Sequence, residues 1–223
     1  MLWVRPMTGT CWALVAVKQR AECKGRLAGA IAGEARLSLV RLMLERVLTA
    51  LRAARTIDRI AIVSRERDTV PPEIPVLEDP GHGLNTALDA ARRALVDQGA
   101  SELVVLPADL PLVTAADIDA LVVGGRRTGF ALATDVAGTS TNALYLAPTA
   151  AFRFQFGPGS RRRHVEEAMR LGLKPEFVRA PGLEFDLDVA EDLIRLRACA
   201  DPHYVSLRLF SDGNPCLPQT RLG

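Results

Sequence analysis

Apolar positions along the first half of the chain follow two alternating patterns. Short runs rich in Val, Ile and Leu predict strands at residues 12–17, 57–63, 74–77 and 103–106. Longer segments with apolar residues three or four apart predict helices at residues 34–53 and 84–97. A third helix opens at Thr114, which forms a capping-box pattern with Asp117 three residues later. Repeated strand–helix units of this kind predict an α/β fold with a mainly parallel central sheet flanked by helices.

The pattern changes after Gly124. Apolar stretches at residues 130–133 and 142–146 are joined by a polar turn, which predicts a short antiparallel pair of strands. A helix is expected over residues 160–171, and a last helix capped by Asp188 with Glu191 three residues later. From Asp201 the periodicity stops and Pro and Gly accumulate, which predicts one domain over residues 1–200 and a C-terminal tail over residues 201–223.

Composition narrows the class of protein. The chain has 223 residues, enough for one sizeable domain, and is 48% hydrophobic but only 5% aromatic, so Ala, Leu and Val must build the core. Its 28 basic and 26 acidic residues nearly balance, which argues against a dedicated nucleic-acid binder. The four cysteines show no paired spacing, and no apolar run approaches the roughly 20 residues that cross a bilayer. A soluble cytoplasmic protein without a membrane partner is expected.

Asp109 is the first candidate for chemistry. It follows the apolar run at residues 103–106 and stands between Pro107 and Pro111, which restrict the turn. Ligands of open α/β sheets gather at the carboxyl ends of such strands. Asp109 is therefore either a metal ligand in an active site or a turn aspartate that caps the next helix.

Asp186 and Asp188 form a second acidic signal. In an extended segment they lie on one face, about 7 Å apart along the chain. Mg²⁺ takes oxygen ligands, so carboxylates from two loops, Asp109 with Asp186 and Asp188, would suit it. The alternatives are a helix cap for Asp188 and a surface position for Asp186.

A basic loop follows the first strand. It carries Lys18, Arg20, Lys24 and Arg26 where ligands should meet the sheet. Such cations suit a triphosphate, because they neutralise charge that moves during phosphoryl transfer. The loop lacks the Gly-x-x-x-x-Gly-Lys-Ser/Thr pattern of a P-loop, and a solvated basic loop is the alternative.

Two glycine-containing loops complete the candidates. Around Gly157 and Ser160, flexible backbone precedes a helix with a basic first turn, which suits a phosphate or carboxylate, although a simple helix cap explains Ser160 as well. His164 in this segment is expected to be a packing or surface residue. In the other loop, Gly83 precedes Asn85, whose amide could pair with a planar base, while a flexible loop is the alternative.

Taken in order, these segments resemble the CofC/FbiD family of guanylyltransferases in coenzyme F420 biosynthesis, a branch of the GT-A-like nucleotidyltransferases. The resemblance covers about residues 12–198. Its motifs are Val-Lys at 17–18, Cys-Lys-Gly-Arg-Leu at 23–27, Gly-Leu-Asn at 83–85, Leu-Pro-Ala-Asp-Leu-Pro at 106–111, Thr-Asn-Ala at 141–143, Phe-Gly-Pro-Gly-Ser at 156–160 with His164, and Phe-Asp-Leu-Asp at 185–188.

The resemblance implies a single-domain Rossmann-like fold, GTP as donor, and a small phosphorylated carboxylic acid as acceptor. That acid is phosphoenolpyruvate, 2-phospho-L-lactate or 3-phospho-D-glycerate. Cys23 and Gly25 depart from the family's common Ala-Lys-Thr/Ser-Arg-Leu loop and leave the acceptor open among these three acids.

Site residues are implied in four groups. Mg²⁺ is held by Asp109, Asp186 and Asp188. The remaining groups are, in order, the catalytic residues Lys18, Lys24, Arg26 and Asp109, the acceptor-binding residues Thr141, Gly157 and Ser160, and the nucleotide-binding residues Gly83, Asn85 and Pro107.

Other functions compete with this interpretation. They are another nucleotidyltransferase of the superfamily, of the molybdenum-cofactor or sugar-phosphate type, and a nucleotide-sensing domain without activity. The sequence does not fix the oligomeric state, and a homodimer is one of the options.

Overall fold

The fold is built on one seven-stranded sheet. In the computed structural model, which describes residues 10–17, 27, 31, 33–147, 151–199 and 201–205, the strand order is β3-β2-β1-β4-β6-β5-β7. The strands are β1 (Thr10–Ala16), β2 (Arg59–Ser64), β3 (Val76–Glu78), β4 (Ala100–Pro107), β5 (Phe130–Thr134), β6 (Thr141–Leu146) and β7 (Glu176–Phe177). The first four strands in that order, β3, β2, β1 and β4, are parallel to one another. Strand β6 is antiparallel to β4 and β5, and β7 is parallel to β5. The predicted mainly parallel sheet with a short antiparallel part is confirmed.

Helices cover both faces of the sheet. They are α1 (Gly33–Ala53), α2 (Leu84–Asp97), α3 (Ala115–Thr128), α4 (Ser160–Arg170), α5 (Pro181–Glu184), α6 (Ala190–Ala198) and α7 (Pro202–Val205). Residues of α1 and α3 pack on one face with Ala13 and Val15 of β1, and residues of α2 pack on the other with Trp12 and Leu14. Successive strand residues point to opposite faces, so β1 is apolar at every buried position.

Several predicted elements have the expected ends. Helix α2 begins at Leu84 and ends at Asp97 as predicted, because its apolar stripe is bounded by Gly83 and Gly99, both at positive φ. The Thr114 capping box is confirmed, since the Asp117 amide donates to Thr114 Oγ1 while the Thr114 amide donates to Asp117 Oδ2. The remaining strands and helices of the first half differ from prediction by a few residues at their ends.

The cap predicted for the last helix is wrong. Helix α6 begins at Ala190 after an N-cap at Val189, and it is the carboxylate of Asp192 that accepts the amides of Asp188 and Val189. Asp188 is not the cap because the helix begins at Ala190, so that Val189 and not Asp188 directly precedes its first residue.

Helix α4 begins at Ser160 as predicted, but Ser160 is not its cap. The N-cap is Gly159, which adopts a left-handed conformation with φ of 70°. The Ser160 hydroxyl oxygen instead accepts a hydrogen bond from the Thr141 amide at 2.8 Å. The side chain therefore joins α4 to the first residue of β6.

The predicted tail begins inside the packed part of the protein. Asp201 forms an ion pair with Arg46 of α1, and Nε2 of His203 lies 2.9 Å from the Leu42 carbonyl. The buried hydroxyl of Tyr204 donates to the Pro111 carbonyl at 2.9 Å. These contacts fix residues 201–205 against the domain, and residues 206–223 lie outside the described part. No helix within the described residues is long and apolar enough to cross a membrane.

Candidate active site

The carboxyl ends of β1 and β4 carry the candidate site. Ala108 extends the pairing of these strands by donating to the Ala16 carbonyl, and Asp109 follows directly. The Asp109 carbonyl then accepts the amide of Leu187 at 3.2 Å. Because Leu110 and Leu187 are fully buried on either side of this bond, the two loops are held together and Asp186 and Asp188 are brought to Asp109.

The electrostatics of the site are clearest at Asp186. Its pKa is raised, first by burial and then by the negative charges of Asp109 and Asp188. Asn142 opposes the shift by donating from Nδ2 to Asp186 Oδ1 at 3.4 Å, and the same amide group donates to the Leu183 carbonyl at 3.0 Å. Like charges gathered in this way favour the arrival of a cation.

The carboxylates do not form a closed metal cage. Within the described ranges, no group of three acidic, His or Cys side chains is arranged to hold an ion by itself. Mg²⁺ does not need such a cage, because it is usually held by one or two carboxylates together with substrate phosphates and water. The donor set therefore fits a Mg²⁺ ion that arrives with a nucleotide.

The predicted basic loop lies outside the described residues, and so do Lys18, Arg20, Cys23, Lys24, Gly25 and Arg26. Its flanks are described. Val17 donates to the Val63 carbonyl at the carboxyl end of β1, and Leu27 packs in the same buried cluster as Leu187. The described residues on either side of the loop, Val17 and Leu27, therefore lie near the segments that carry the three aspartates.

The predicted nucleotide-binding residues have mixed surroundings. Gly83 is exposed with φ of 92°, a conformation that favours glycine, and Pro107 is the half-buried last residue of β4. The Asn85 amide pairs with the backbone of Phe156, donating to its carbonyl at 3.1 Å and accepting its amide at 2.7 Å. Within the described part of the chain, one N–H and one lone pair of Asn85 remain for a base. A nucleotide contact at these three positions stays a prediction.

The extended segment at residues 151–156, here called the strap, leads into the glycine loop at residues 157–159. Three strap amides each donate to a side chain: Arg153 to Glu167 of α4, Gln155 to His164 of α4, and Phe156 to Asn85 of α2. Arg153 and Gln155 face α4 while Phe156 faces α2, because successive amides of an extended chain point to opposite sides. Sequence reasoning missed this arrangement, although Phe152 and Phe154 show the apolar alternation of an extended segment.

The three predicted acceptor-binding residues are brought together. Ser160 receives the Thr141 amide, and the Ser160 amide donates to the carbonyl of the exposed Gly157, whose φ is 119°. Thr141 Oγ1 lies 3.0 Å from Nδ1 of His164. Ser160 is 1% exposed and Thr141 6%, so both residues are buried.

His164 is fully buried, as a packing residue would be. Its ring lies against Phe152 and Phe156. Burial and the positive charge of Arg163 lower its pKa to about 4, so the imidazole is neutral at pH 7. Sequence reasoning also missed Asn142, although it belongs to the Thr-Asn-Ala motif at residues 141–143.

Two solved structures that share this fold carry the names of nucleotide-handling enzymes. A putative nucleotide-diphospho-sugar transferase from Desulfovibrio desulfuricans superposes with a TM-score of 0.72 at 16% identity, covering 89% of this chain and 91% of that one. A CMP:2-keto-3-deoxy-manno-octonic acid synthetase complexed with CTP gives a TM-score of 0.58 at 12% identity, covering 86% of this chain and 96% of that one. The fold is that of the nucleotide-diphospho-sugar transferase class.

Sequence comparison defines the family within that class. A family model described as "Guanylyl transferase CofC like" matches residues 11–202. A protein named phosphoenolpyruvate guanylyltransferase from Rubrobacter xylanophilus is 38% identical over 86% of this chain and 96% of the relative. A protein of the same name from Sphaerobacter thermophilus is 39% identical over 84% of this chain and 92% of the relative. The chain therefore belongs to the CofC-like guanylyl transferase family, and the predicted enzyme class is confirmed.

Proposed function

We propose that this guanylyltransferase moves GMP from GTP onto the phosphate of phosphoenolpyruvate and releases pyrophosphate, as a step of coenzyme F420 biosynthesis. The observation that carries the proposal is the bond between Leu187 and the Asp109 carbonyl, which gathers three aspartates near the end of β1. Phosphoenolpyruvate is preferred to 2-phospho-L-lactate and 3-phospho-D-glycerate because it is the acceptor in the names of the relatives.

Mg²⁺ is the proposed cofactor, and Asp109, Asp186 and Asp188 are the residues that would hold it. When bound, the ion would neutralise triphosphate charge and stabilise the departing pyrophosphate. Lys18, Lys24 and Arg26 are proposed to add positive charge from the basic loop. The raised pKa of Asp186 supports this assignment, because a cation would relieve the repulsion among the three carboxylates.

The reaction needs no general base. A phosphate monoester has a second pKa of about 6, so the acceptor oxygen is already ionised at neutral pH. This oxygen attacks the α-phosphorus of GTP, the bond from the α-phosphorus to the bridging oxygen breaks, and pyrophosphate leaves with the electron pair. The enzyme's task is to align the two substrates, and Thr141, Gly157 and Ser160 are proposed to hold the acid while Gly83, Asn85 and Pro107 contact the nucleotide.

A competition assay tests the proposal. The three phospho-acids are offered together at equal concentration with GTP and Mg²⁺, and guanylylated products are identified by mass. The expected result is a dominant product of phosphoenolpyruvate with stoichiometric pyrophosphate. A different dominant product would change the acceptor only, whereas tight GTP binding without any product would favour a nucleotide sensor and overturn the proposal.

A further inference from the structure

Both ring nitrogens of the buried His164 are engaged. The Gln155 amide donates to Nε2 at 2.9 Å, and Nδ1 lies 3.0 Å from Thr141 Oγ1. A backbone N–H can only donate, so Nε2 must carry no proton. The single proton of the neutral ring is therefore on Nδ1, and Nδ1 donates to the Thr141 hydroxyl.

This bond determines what the Thr141 hydroxyl can do. Its oxygen accepts from His164, so its own proton is directed elsewhere, and no side chain or carbonyl in the described part of the chain receives it. The oxyanions of a phospho-acid accept hydrogen bonds and cannot donate them once ionised. A hydroxyl fixed as a donor is thus matched to such a ligand.

We propose that His164 is a positioning residue that fixes the Thr141 hydroxyl as a hydrogen-bond donor toward the phospho-acid acceptor, an inference that rests on the proposed function. The ring does not touch the reacting atoms. Its flanking rings, Phe152 and Phe156, exclude water from it, and the charged neighbours that act on it are Arg163 and Glu167. A protonated ring would present a second N–H against the Gln155 amide, so the same surroundings that bury His164 also keep the tautomer single.

Two substitutions separate the two hydrogen bonds of the ring. In His164→Asn the side-chain amide nitrogen replaces Nδ1 and keeps the donor to Thr141, but the contact with the Gln155 amide is lost. In His164→Gln the side-chain oxygen replaces Nε2 and keeps the contact with Gln155, but the donor to Thr141 is lost. The pair is therefore matched in polarity and differs in which bond survives.

The expected readout is the KM for the acceptor. We expect His164→Gln to raise it about tenfold with the KM for GTP unchanged, because a hydrogen bond to an anion loses its orientation. His164→Asn should stay within about threefold of the wild type. Adding His164→Gln to Thr141→Val should raise the acceptor KM no further than Thr141→Val does alone, since the two residues act through one hydroxyl.

Other outcomes would overturn the inference. A wild-type acceptor KM in His164→Gln, or an equal rise in both His164 variants, would mean that His164 serves only the strap. Nitrogen NMR of the wild-type histidines covers the case in which a variant fails to fold, and a proton on Nε2 of His164 would contradict the assigned tautomer. A wild-type enzyme without any guanylylated product would instead refute the proposed function and leave the tautomer result standing.

Discussion

The backbone is held differently in two regions of the molecule: the parallel part of the sheet, β1 to β4, and the acceptor part, which comprises β6, the strap and α4. In the parallel part, β1 is hydrogen bonded along its length to β2 on one side and β4 on the other. In the acceptor part, amides of the strap at residues 151–156 donate hydrogen bonds to side chains of α2 and α4. Backbone ladders tolerate changes of side chain, whereas a strap held by particular side chains can be moved by one substitution. The triphosphate chemistry is proposed on the first part and acceptor binding on the second.

The largest effect should come from the end of the parallel part. Asp109→Asn removes a charge from the proposed Mg²⁺ site while the ladder beside it stays intact, and we expect kcat to fall about 100-fold or more. Steady-state assays in saturating Mg²⁺ measure it. Asp97→Asn, an exposed change at the end of α2, is the matched control. Wild-type turnover in a folded Asp109→Asn protein would show that Asp109 is not a metal ligand.

A steric change in the antiparallel part should lower stability most. A Cβ on Gly125 of α3 would overlap Cδ1 of the buried Tyr145 in β6. We expect Gly125→Ala to reduce the free energy of unfolding by about 3 kcal/mol. Gly33→Ala is the control, because a Cβ there meets nothing within 4 Å. Urea unfolding compares the two, and equal stabilities would mean that α3 shifts freely over β6.

Acid should weaken the acceptor part through His164. The unfolded ring takes up a proton near pH 6.5, whereas the folded ring stays neutral down to about pH 4. Between these pH values the unfolded state therefore binds more protons than the folded state. The free energy of unfolding is not reduced by His164 above pH 6.5, and it declines as the pH falls below this value, by about 3 kcal/mol at most. The drop in unfolding free energy from pH 7.5 to 5 should be smaller in His164→Gln than in the wild type. Equal drops would contradict the neutral burial of His164.

The smallest expected effect concerns the link between the two parts. Asn85→Ala leaves both backbone groups of Phe156 without their partner, and we expect a loss of about 1–2 kcal/mol in unfolding free energy together with a higher KM for the acceptor. Thr86→Ala, at an exposed position one residue along α2, is the control. A higher KM for GTP alone would instead favour the predicted role of Asn85 in nucleotide binding.

Local patterns made the parallel part predictable from sequence. Apolar runs and caps such as Thr114 depend on residues close in the chain, so helix α2 and the position of Asp109 at a strand end followed directly. The strap did not, because its partners Asn85 and His164 come from two different helices. The cap of α6 was misassigned to Asp188 because an aspartate before the helix was expected to cap it, whereas the helix starts after Val189 and the carboxylate of Asp192 accepts the Val189 amide. Helix α7 has four residues, too few for a periodic pattern.

The bond from Tyr204 to the Pro111 carbonyl also bears on when the enzyme becomes complete during synthesis. It spans 93 positions of the chain and steadies the turn that follows Asp109. Contacts this distant in sequence form late, because a long loop must close first. A nascent chain that has emerged only as far as Asp109 contains its first carboxylate but not the residues that support it. Guanylyl transfer is therefore expected only after nearly all of the described domain has left the ribosome.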